Sequence, residues 1–163
     1  MSFKKNKYQV IKGAISKELA DFCYQYFLNK RAVARHLFDE KFISQFTQYF
    51  GVWNDTQIPE TYSHYADIVM ETLLQKVKPV MEEQAKVKLI ETYSYARIYK
   101  KGDELKKHKD RYSCEISTTM NLGGDDWSIY IEPNIEINLN PGDMLMYRGC
   151  DLEHWRKPFE GEN

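Results

Sequence analysis

The chain has 163 residues, of which 42% are hydrophobic and 14% are aromatic, enough to form a packed core and to exclude a disordered chain. The 23 Lys and Arg residues nearly balance the 24 Asp and Glu residues. The resulting net charge of -1 excludes bulk charge as a reason to bind nucleic acid or an anionic membrane.

The sequence lacks the features of exported and membrane proteins. No apolar run approaches the roughly 18 residues of a membrane span, and the first residues lack the apolar segment of a signal peptide. The 3 cysteines include no C-x-x-C motif, which argues against a disulfide framework. We therefore expect one cytoplasmic domain over residues 1–163, with no membrane partner.

Residues 1–86 have the apolar spacing of helices. Ser16 is expected to cap a first helix, a second is predicted over residues 31–49, and a third begins near Glu60 and is kinked or ended by Pro79. The apolar side of the second helix is predicted to carry Val33, Leu37, Phe38 and Phe42, and that of the third Tyr65, Ile68, Val69, Leu73 and Val77. This part of the chain is predicted to be mainly helical.

Residues 87–163 have the pattern of short strands separated by turns. The β-branched or aromatic stretches that predict strands are residues 89–99, 113–122, 126–132, 135–139 and 143–147. Trp127 alternates with Ile129 and Ile131, which predicts that its ring packs in the core. Helices followed by a run of short strands predict a β-sandwich or barrel with helices on one side.

Charge is uneven within the strand region, because residues 97–111 are strongly basic and the stretch after Gly124 is acidic. One interpretation is that the basic side chains protect solvated strand edges from pairing. The other is a basic rim that attracts an anionic co-substrate.

Two of the four histidines stand in a pattern that suits a metal ion. His108 precedes Asp110 by two positions in a stretch that we interpret as a strand, where such residues project from one face. His154 follows the last predicted strand. Two imidazoles and one carboxylate form the ligand set of non-haem Fe(II) oxygenases, although H-x-D alone is a weak signal. His36 and His64, in helical stretches, are expected to be structural.

The stretch YARIYKKGDELKKHKDRYSCEISTTMNL, followed by NPGDMLMYRGCDLEHWRKP, resembles the Fe(II)/2-oxoglutarate-dependent dioxygenases, near their prolyl 4-hydroxylase-like branch. The resemblance covers about residues 87–160. It implies an α+β fold with a double-stranded β-helix core (jelly-roll, cupin-like) over residues 87–163, supported by N-terminal helices in residues 1–86. Whether the last strand of this core lies beyond residue 163 stays open.

The resemblance also implies the roles of individual residues. His108, Asp110 and His154 would be the iron ligands and the catalytic centre. Tyr99 matches the tyrosine that contacts 2-oxoglutarate in the family, with Tyr93 and Tyr95 as nearby candidates.

The residue that holds the far carboxylate of 2-oxoglutarate is less clear. In the family this residue is an Arg or Lys shortly after the distal histidine, and here the matching count ends at Asn163. Arg97, Arg156 and Arg148 are the alternatives. Arg97 is our choice, because strand alternation puts it on the same face as Tyr95.

The function implied by the resemblance is hydroxylation of an unactivated C–H bond, with a prolyl residue in a peptide as the first substrate to consider. Fe(II) would be the cofactor, 2-oxoglutarate and dioxygen the co-substrates, and ascorbate a reductant. The carboxylate of Asp110 favours hydroxylation over halogenation. The substrate class stays open between a small molecule and a peptide, and net charge disfavours nucleic acid.

Two alternative hypotheses for the function remain. One is a metal-binding cupin-like enzyme that does not use 2-oxoglutarate. The other is a β-sandwich binding module without catalytic activity. The sequence does not indicate an oligomeric state.

Overall fold

The computed structural model describes residues 3–162, in which strands are distributed over the whole chain. The helices are α1 (Phe3–Asn6), α2 (Lys17–Asp39) and α3 (Ile68–Ala85), with a 3-10 turn at Tyr112–Cys114. The strands are β1 (Tyr8–Ile11), β2 (Tyr62–Tyr65), β3 (Tyr95–Ile98), β4 (Leu105–His108), β5 (Ser117–Met120), β6 (Ile129–Ile131), β7 (Ile135–Ile137), β8 (Met144–Tyr147) and β9 (His154–Arg156). Within residues 3–162, no helix is both long enough and apolar enough to cross a membrane.

The strands pair antiparallel in three sheets. A four-stranded sheet has the order β4-β9-β6-β7, a three-stranded sheet the order β1-β8-β5, and β2 pairs with β3. Sequence neighbours such as β8 and β9 lie in different sheets, as the strands of a jelly roll do. The expected α+β jelly-roll fold is confirmed.

Strand β8 lies at the centre of the core, and all four of its residues are buried. Met144 and Met146 belong to a cluster with Val77 and Met81 of α3. Alternate residues of a strand point to opposite faces, and Leu145 accordingly packs in a second cluster, with isoleucines of the four-stranded sheet. The three-stranded sheet is therefore covered by helices on one face and by the four-stranded sheet on the other.

Helix α2 differs from the prediction, because the first two predicted helices form one. Ser16 caps it as expected, with its Oγ accepting a hydrogen bond from the Leu19 N–H at 3.2 Å. The helix then continues through residues 28–31, which contain no helix-breaking residue, and ends at Asp39. Lys41 adopts a left-handed conformation (φ 61°), and residues 40–49 form turns rather than a helix.

The apolar side predicted for residues 31–49 is also wrong. Val33 and Phe42 are 52% and 76% exposed. The residues of α2 that reach the core are instead Ala20, Cys23, Phe27 and Ala34. Small residues at two of these positions allow the helix to approach the rest of the core closely.

Helix α3 begins at Ile68, later than the predicted start near Glu60, because residues 62–65 form β2. Its N-cap is Asp67, whose Oδ1 accepts from the N–H groups of Val69 and Met70 at 2.9 and 3.2 Å. Pro79 lies inside the helix, which continues to Ala85. A proline removes one backbone hydrogen bond, and burial of Val77 and Met81 on either side keeps this segment helical.

The strands are shorter than the sequence pattern predicts. Of residues 89–99, only Tyr95–Ile98 form a strand, and within residues 113–122 a 3-10 turn precedes Ser117–Met120. The sequence analysis missed β1, which pairs with β8, and β9, which carries His154. Strand β1 follows a left-handed residue, Lys7 (φ 63°), and is too short to show periodicity.

Candidate metal centre

The two histidines of the predicted triad face each other across a strand pair. His108 is the last residue of β4 and His154 the first residue of β9, and they are direct partners in the antiparallel register. Their ring centroids are 4.3 Å apart. Opposite residues of an antiparallel pair hold their side chains close together, so the four-stranded sheet itself places both imidazoles at one point.

Asp110 completes the cluster from a different element. Its Oδ1 lies 3.5 Å from His154 Nε2 and 3.9 Å from His108 Nε2. One ligand atom from each of the three residues lies within 4.8 Å of the others. The predicted convergence of these residues is therefore present, but strand alternation does not explain it, because β4 ends at His108 and Asp110 follows outside the strand.

Backbone carbonyl groups set the tautomer of both imidazoles. His108 Nδ1 lies 2.7 Å from the Lys106 carbonyl oxygen, and His154 Nδ1 lies 3.2 Å from that of Leu152. A carbonyl oxygen only accepts hydrogen bonds, so each Nδ1 carries a hydrogen, and the neutral form of each imidazole keeps its lone pair on Nε2. Both lone pairs then face Asp110, as metal ligands require.

The electrostatics of the cluster favour the forms that bind a cation. Burial lowers the pKa of His108, so its imidazole is neutral at neutral pH. Burial by itself raises the pKa of Asp110, but the contacts of its carboxylate with His154, Ser117 and His108 outweigh this effect and lower it. At neutral pH the cluster therefore presents the Asp110 carboxylate and the neutral imidazole of His108.

The triad opens into a cavity of about 1540 Å³. Residues of β3 and β5, each an edge strand of its own sheet, line this cavity together with the triad. Tyr99 and Trp127 also line it, with their rings in edge contact and their centroids 4.6 Å apart. Trp127 is thus half-buried beside the candidate centre, and the prediction that it packs in the core is wrong.

Arg156 lies two residues after His154 on β9, so both side chains project from the same face of that strand. Its Nη1 donates to the Trp127 carbonyl oxygen at 2.5 Å, and the guanidinium lies 4.8 Å from the centre of the Trp127 ring. Within residues 3–162, no carboxylate forms an ion pair with it, and burial lowers its pKa. The cavity therefore contains a guanidinium without a protein counter-charge.

Arg97 has the opposite environment. Its Nε donates to Asp55 Oδ2 at 3.0 Å, its Nη2 also contacts that oxygen, and a further hydrogen bond reaches Gln57 Oε1 at 2.6 Å. The Tyr95 hydroxyl donates to the same Asp55 oxygen at 2.7 Å. Arg97 and Tyr95 line the cavity as expected. The choice of Arg97 over Arg156 as an anchor needs revision, because its charge is already balanced.

The other two residues that the sequence analysis considered for binding 2-oxoglutarate, Tyr93 and Arg148, have partners elsewhere in the protein. The Tyr93 hydroxyl accepts from Cys114 Sγ at 3.3 Å. Arg148 donates to Asp151 at 2.9 Å and to Glu115 at 2.8 Å, so its charge is also balanced. Of the three arginines considered as anchors, Arg156 is the one whose charge is not matched by a carboxylate within residues 3–162.

Several residues at the centre were missed by sequence reasoning. Gln57 Nε2 lies 3.4 Å from His108 Nε2, Asp55 holds Arg97, and Ser117 and Gly149 contact Asp110. None has a motif of its own. Asp55 and Gln57 come from the turn-rich segment before β2, where the Gln57 N–H donates to Asp55 Oδ1 at 2.7 Å, and only an Asx-turn pattern could have drawn attention to it.

Comparison with solved structures gives a likeness in fold. The chain is similar to the crystal structure of a Pseudomonas putida prolyl-4-hydroxylase, with a TM-score of 0.66 and 10% sequence identity over 96% of this chain and 87% of that chain. No protein-family model matches the sequence, and no curated protein does. The likeness shows that this chain and that hydroxylase are related in fold.

Proposed function

We propose that this chain is an Fe(II)- and 2-oxoglutarate-dependent oxygenase that hydroxylates an unactivated C–H bond. The observation that carries the proposal is the convergence of His108, Asp110 and His154 beside a large cavity. Similarity in fold to a prolyl-4-hydroxylase supports it.

The donor set fits Fe(II). Two imidazole nitrogens and one carboxylate oxygen, without a thiolate, are the ligands of the facial triad of non-haem iron oxygenases. When bound, Fe(II) supplies the activation of dioxygen that the oxidation of a C–H bond requires. His108 and His154 would hold the metal through Nε2 and Asp110 through Oδ1, and the cavity side of the triad would stay open to co-substrates.

Arg156 is the residue that would hold the far carboxylate of 2-oxoglutarate. Its guanidinium lacks a protein carboxylate, and it shares a strand face with His154. A planar guanidinium can bind a carboxylate through two parallel hydrogen bonds. Tyr99, whose ring also contacts the Trp127 ring, would help to orient the same molecule. Tyr95 and Arg97 would instead shape the wall of the cavity through Asp55.

The cavity has room for more than the co-substrate. Ligand pockets commonly measure roughly 300–1,000 Å³, and this one has about 1540 Å³. A prolyl residue of a peptide is the first substrate to test, because the structural neighbour is described as a prolyl-4-hydroxylase. Ascorbate would serve as the reductant in such an assay.

The test measures succinate formed from 2-oxoglutarate under air with Fe(II) and ascorbate. We expect slow formation by the parent protein without added substrate, and binding of 2-oxoglutarate that requires metal. The variant Arg156→Gln should weaken this binding by about 30-fold to several thousandfold, since losing one partner of a buried charge pair costs on the order of 2–5 kcal/mol.

The matched control is Arg148→Gln, which removes a half-exposed arginine already paired with Glu115 and Asp151. It should bind 2-oxoglutarate like the parent. If Arg156→Gln also binds like the parent, the anchor lies elsewhere. Metal binding without any 2-oxoglutarate binding would favour the cupin-like alternative, and no metal binding would favour a binding module.

A further inference from the structure

The carboxylate of Asp110 contacts residues at the end of the three-stranded sheet as well as the histidines of the four-stranded sheet. The Ser117 hydroxyl lies 2.6 Å from Asp110 Oδ2 and 3.2 Å from the Cys114 carbonyl oxygen. A hydroxyl has one hydrogen, and neither acceptor can supply another. The shorter contact to the charged oxygen receives that hydrogen, because hydrogen bonds to ionised acceptors are stronger.

Gly149, in the turn that follows β8, lies close to the same carboxylate. The Asp110 N–H donates to the Gly149 carbonyl oxygen at 2.9 Å. A Cβ at position 149 would lie 2.1 Å from Asp110 Oδ2, 2.9 Å from Asp110 Cγ and 2.6 Å from Ser117 Oγ. Such distances are far below van der Waals contact, so any larger residue would displace the carboxylate or the serine.

Both contacts come from one end of one strand pair. Ser117 is the first residue of β5 and is the register partner of Tyr147, the last residue of β8. Gly149 follows β8 by two positions. Ser117 and Gly149, at this end of the three-stranded sheet, thus form a cradle for Asp110, which follows β4 of the four-stranded sheet.

The cradle gives the two oxygens of the Asp110 carboxylate different surroundings. Oδ2 is directed into the cradle and accepts the serine hydrogen bond, whereas Oδ1 faces the Nε2 atoms of His108 and His154. We propose that Ser117 and Gly149 are positioning residues that present Oδ1 alone to the metal, so that Asp110 binds through one oxygen and leaves a further coordination position open. This inference rests on the proposed metal site.

The variants Ser117→Ala and Gly149→Ala test the cradle from its two sides. In each we expect the affinity for Co(II), measured by calorimetry, to fall about 10- to 100-fold, which is typical of losing an outer partner of a metal ligand. The visible absorption of bound Co(II) should change as well, because it reports ligand number and geometry. Ser117→Thr keeps the hydroxyl and should restore most of the affinity.

Thr119→Ala is the matched control. Thr119 lies two positions after Ser117 on the same face of β5, and its hydroxyl does not contact Asp110. This variant should bind Co(II) with the affinity and the spectrum of the parent. Thermal unfolding of all variants, measured without metal, distinguishes a local change from a general loss of structure.

A crystal structure of metal-free Gly149→Ala gives a readout that is independent of metal binding. We expect the Asp110 carboxylate to be displaced from its position in the parent, and Ser117→Ala provides the same test if Gly149→Ala does not fold. Absence of Co(II) binding by the parent would overturn the proposed function. If the parent binds Co(II) and both cradle variants bind it with the same affinity and spectrum, the role of the cradle is overturned. A carboxylate that keeps its parental position in the variant crystal structure would overturn it as well.

Discussion

Two clusters in this protein place a histidine beside a carboxylate, and they differ in how charge is balanced. In the helical part, Asp67 is fully buried and pairs with the Lys30 ammonium. The Tyr26 hydroxyl donates to the same carboxylate at 2.8 Å, and His64 Nδ1 lies 3.3 Å away. Here the protein itself supplies the cation.

The cluster at Asp110 lacks such a cation. Within residues 3–162, no lysine or arginine forms an ion pair with Asp110, and the titratable groups beside its carboxylate are His108 and His154. Because Nδ1 of each ring donates to a backbone carbonyl, the neutral form of each imidazole directs its Nε2 lone pair toward the carboxylate. At Asp110, hydrogen-bond acceptors converge without a cation from the protein, so this cluster is suited to bind a metal cation. At Asp67 the lysine already balances the carboxylate, so that cluster is structural.

The largest effect that we expect is a loss of folding stability when the Asp67 cluster is disrupted. Asp67→Asn keeps a residue suited to the N-cap of α3 but leaves the largely buried Lys30 ammonium without a carboxylate to balance its charge. Breaking a buried pair in this way costs about 3–5 kcal/mol. Urea denaturation of the parent and the variant measures this loss, and a loss below about 1 kcal/mol would contradict the structural role.

The control for this variant is Asp39→Asn, which removes the partner of Arg35 at the C-terminal end of α2. Both side chains of that pair are more than half exposed. Exposed pairs contribute about 0–1 kcal/mol, so Asp39→Asn should change the free energy of unfolding only slightly.

The pH dependence sharpens the same comparison. Burial alone would raise the pKa of Asp67, but hydrogen bonds from Lys30 and Tyr26 outweigh it and hold the pKa below its ordinary value of 3.8. The stabilisation by ionised Asp67 is therefore present above about pH 4 and is lost as the pH falls through the folded-state pKa. The difference in unfolding free energy between the parent and Asp67→Asn should shrink below about pH 4, and a difference that grows there would contradict this assignment.

A smaller effect on stability is expected at the other cluster. Asp110→Asn keeps an oxygen that can accept from Ser117 and leaves no buried cation unpaired, so we expect a change in unfolding free energy of about 1 kcal/mol or less. Urea denaturation without metal measures it. A loss as large as that of Asp67→Asn would show that Asp110, too, has a mainly structural role.

The sequence predicts the candidate centre better than the helices. The H-x-D motif and the distal histidine are local patterns, and the structure brings His108, Asp110 and His154 together. The boundaries of α2 and α3 were missed because Lys41 and residues 62–65 depend on conformation and pairing that apolar spacing does not show. Such features are set by tertiary context rather than by local periodicity.

The residues around the triad could not be predicted from the sequence, for a different reason. Strand alternation favours Arg97 over Arg156 as the anchor, whereas the structure shows that Asp55, distant in sequence, pairs with Arg97. Gly149 has no feature in the sequence that signals its close approach to Asp110. Partners distant along the chain decide both cases, and a single sequence does not reveal them.

The most direct test of the central claim is calorimetric titration of Mn(II), as a substitute for Fe(II), into the parent protein and into His108→Ala, Asp110→Ala and His154→Ala. We predict one binding site in the parent. Each variant should bind at least about tenfold more weakly, since even outer partners of metal ligands contribute about 10–100-fold. His36→Ala, which changes an exposed histidine of α2, should bind like the parent. Unchanged Mn(II) affinity in His108→Ala would contradict the assignment of the triad.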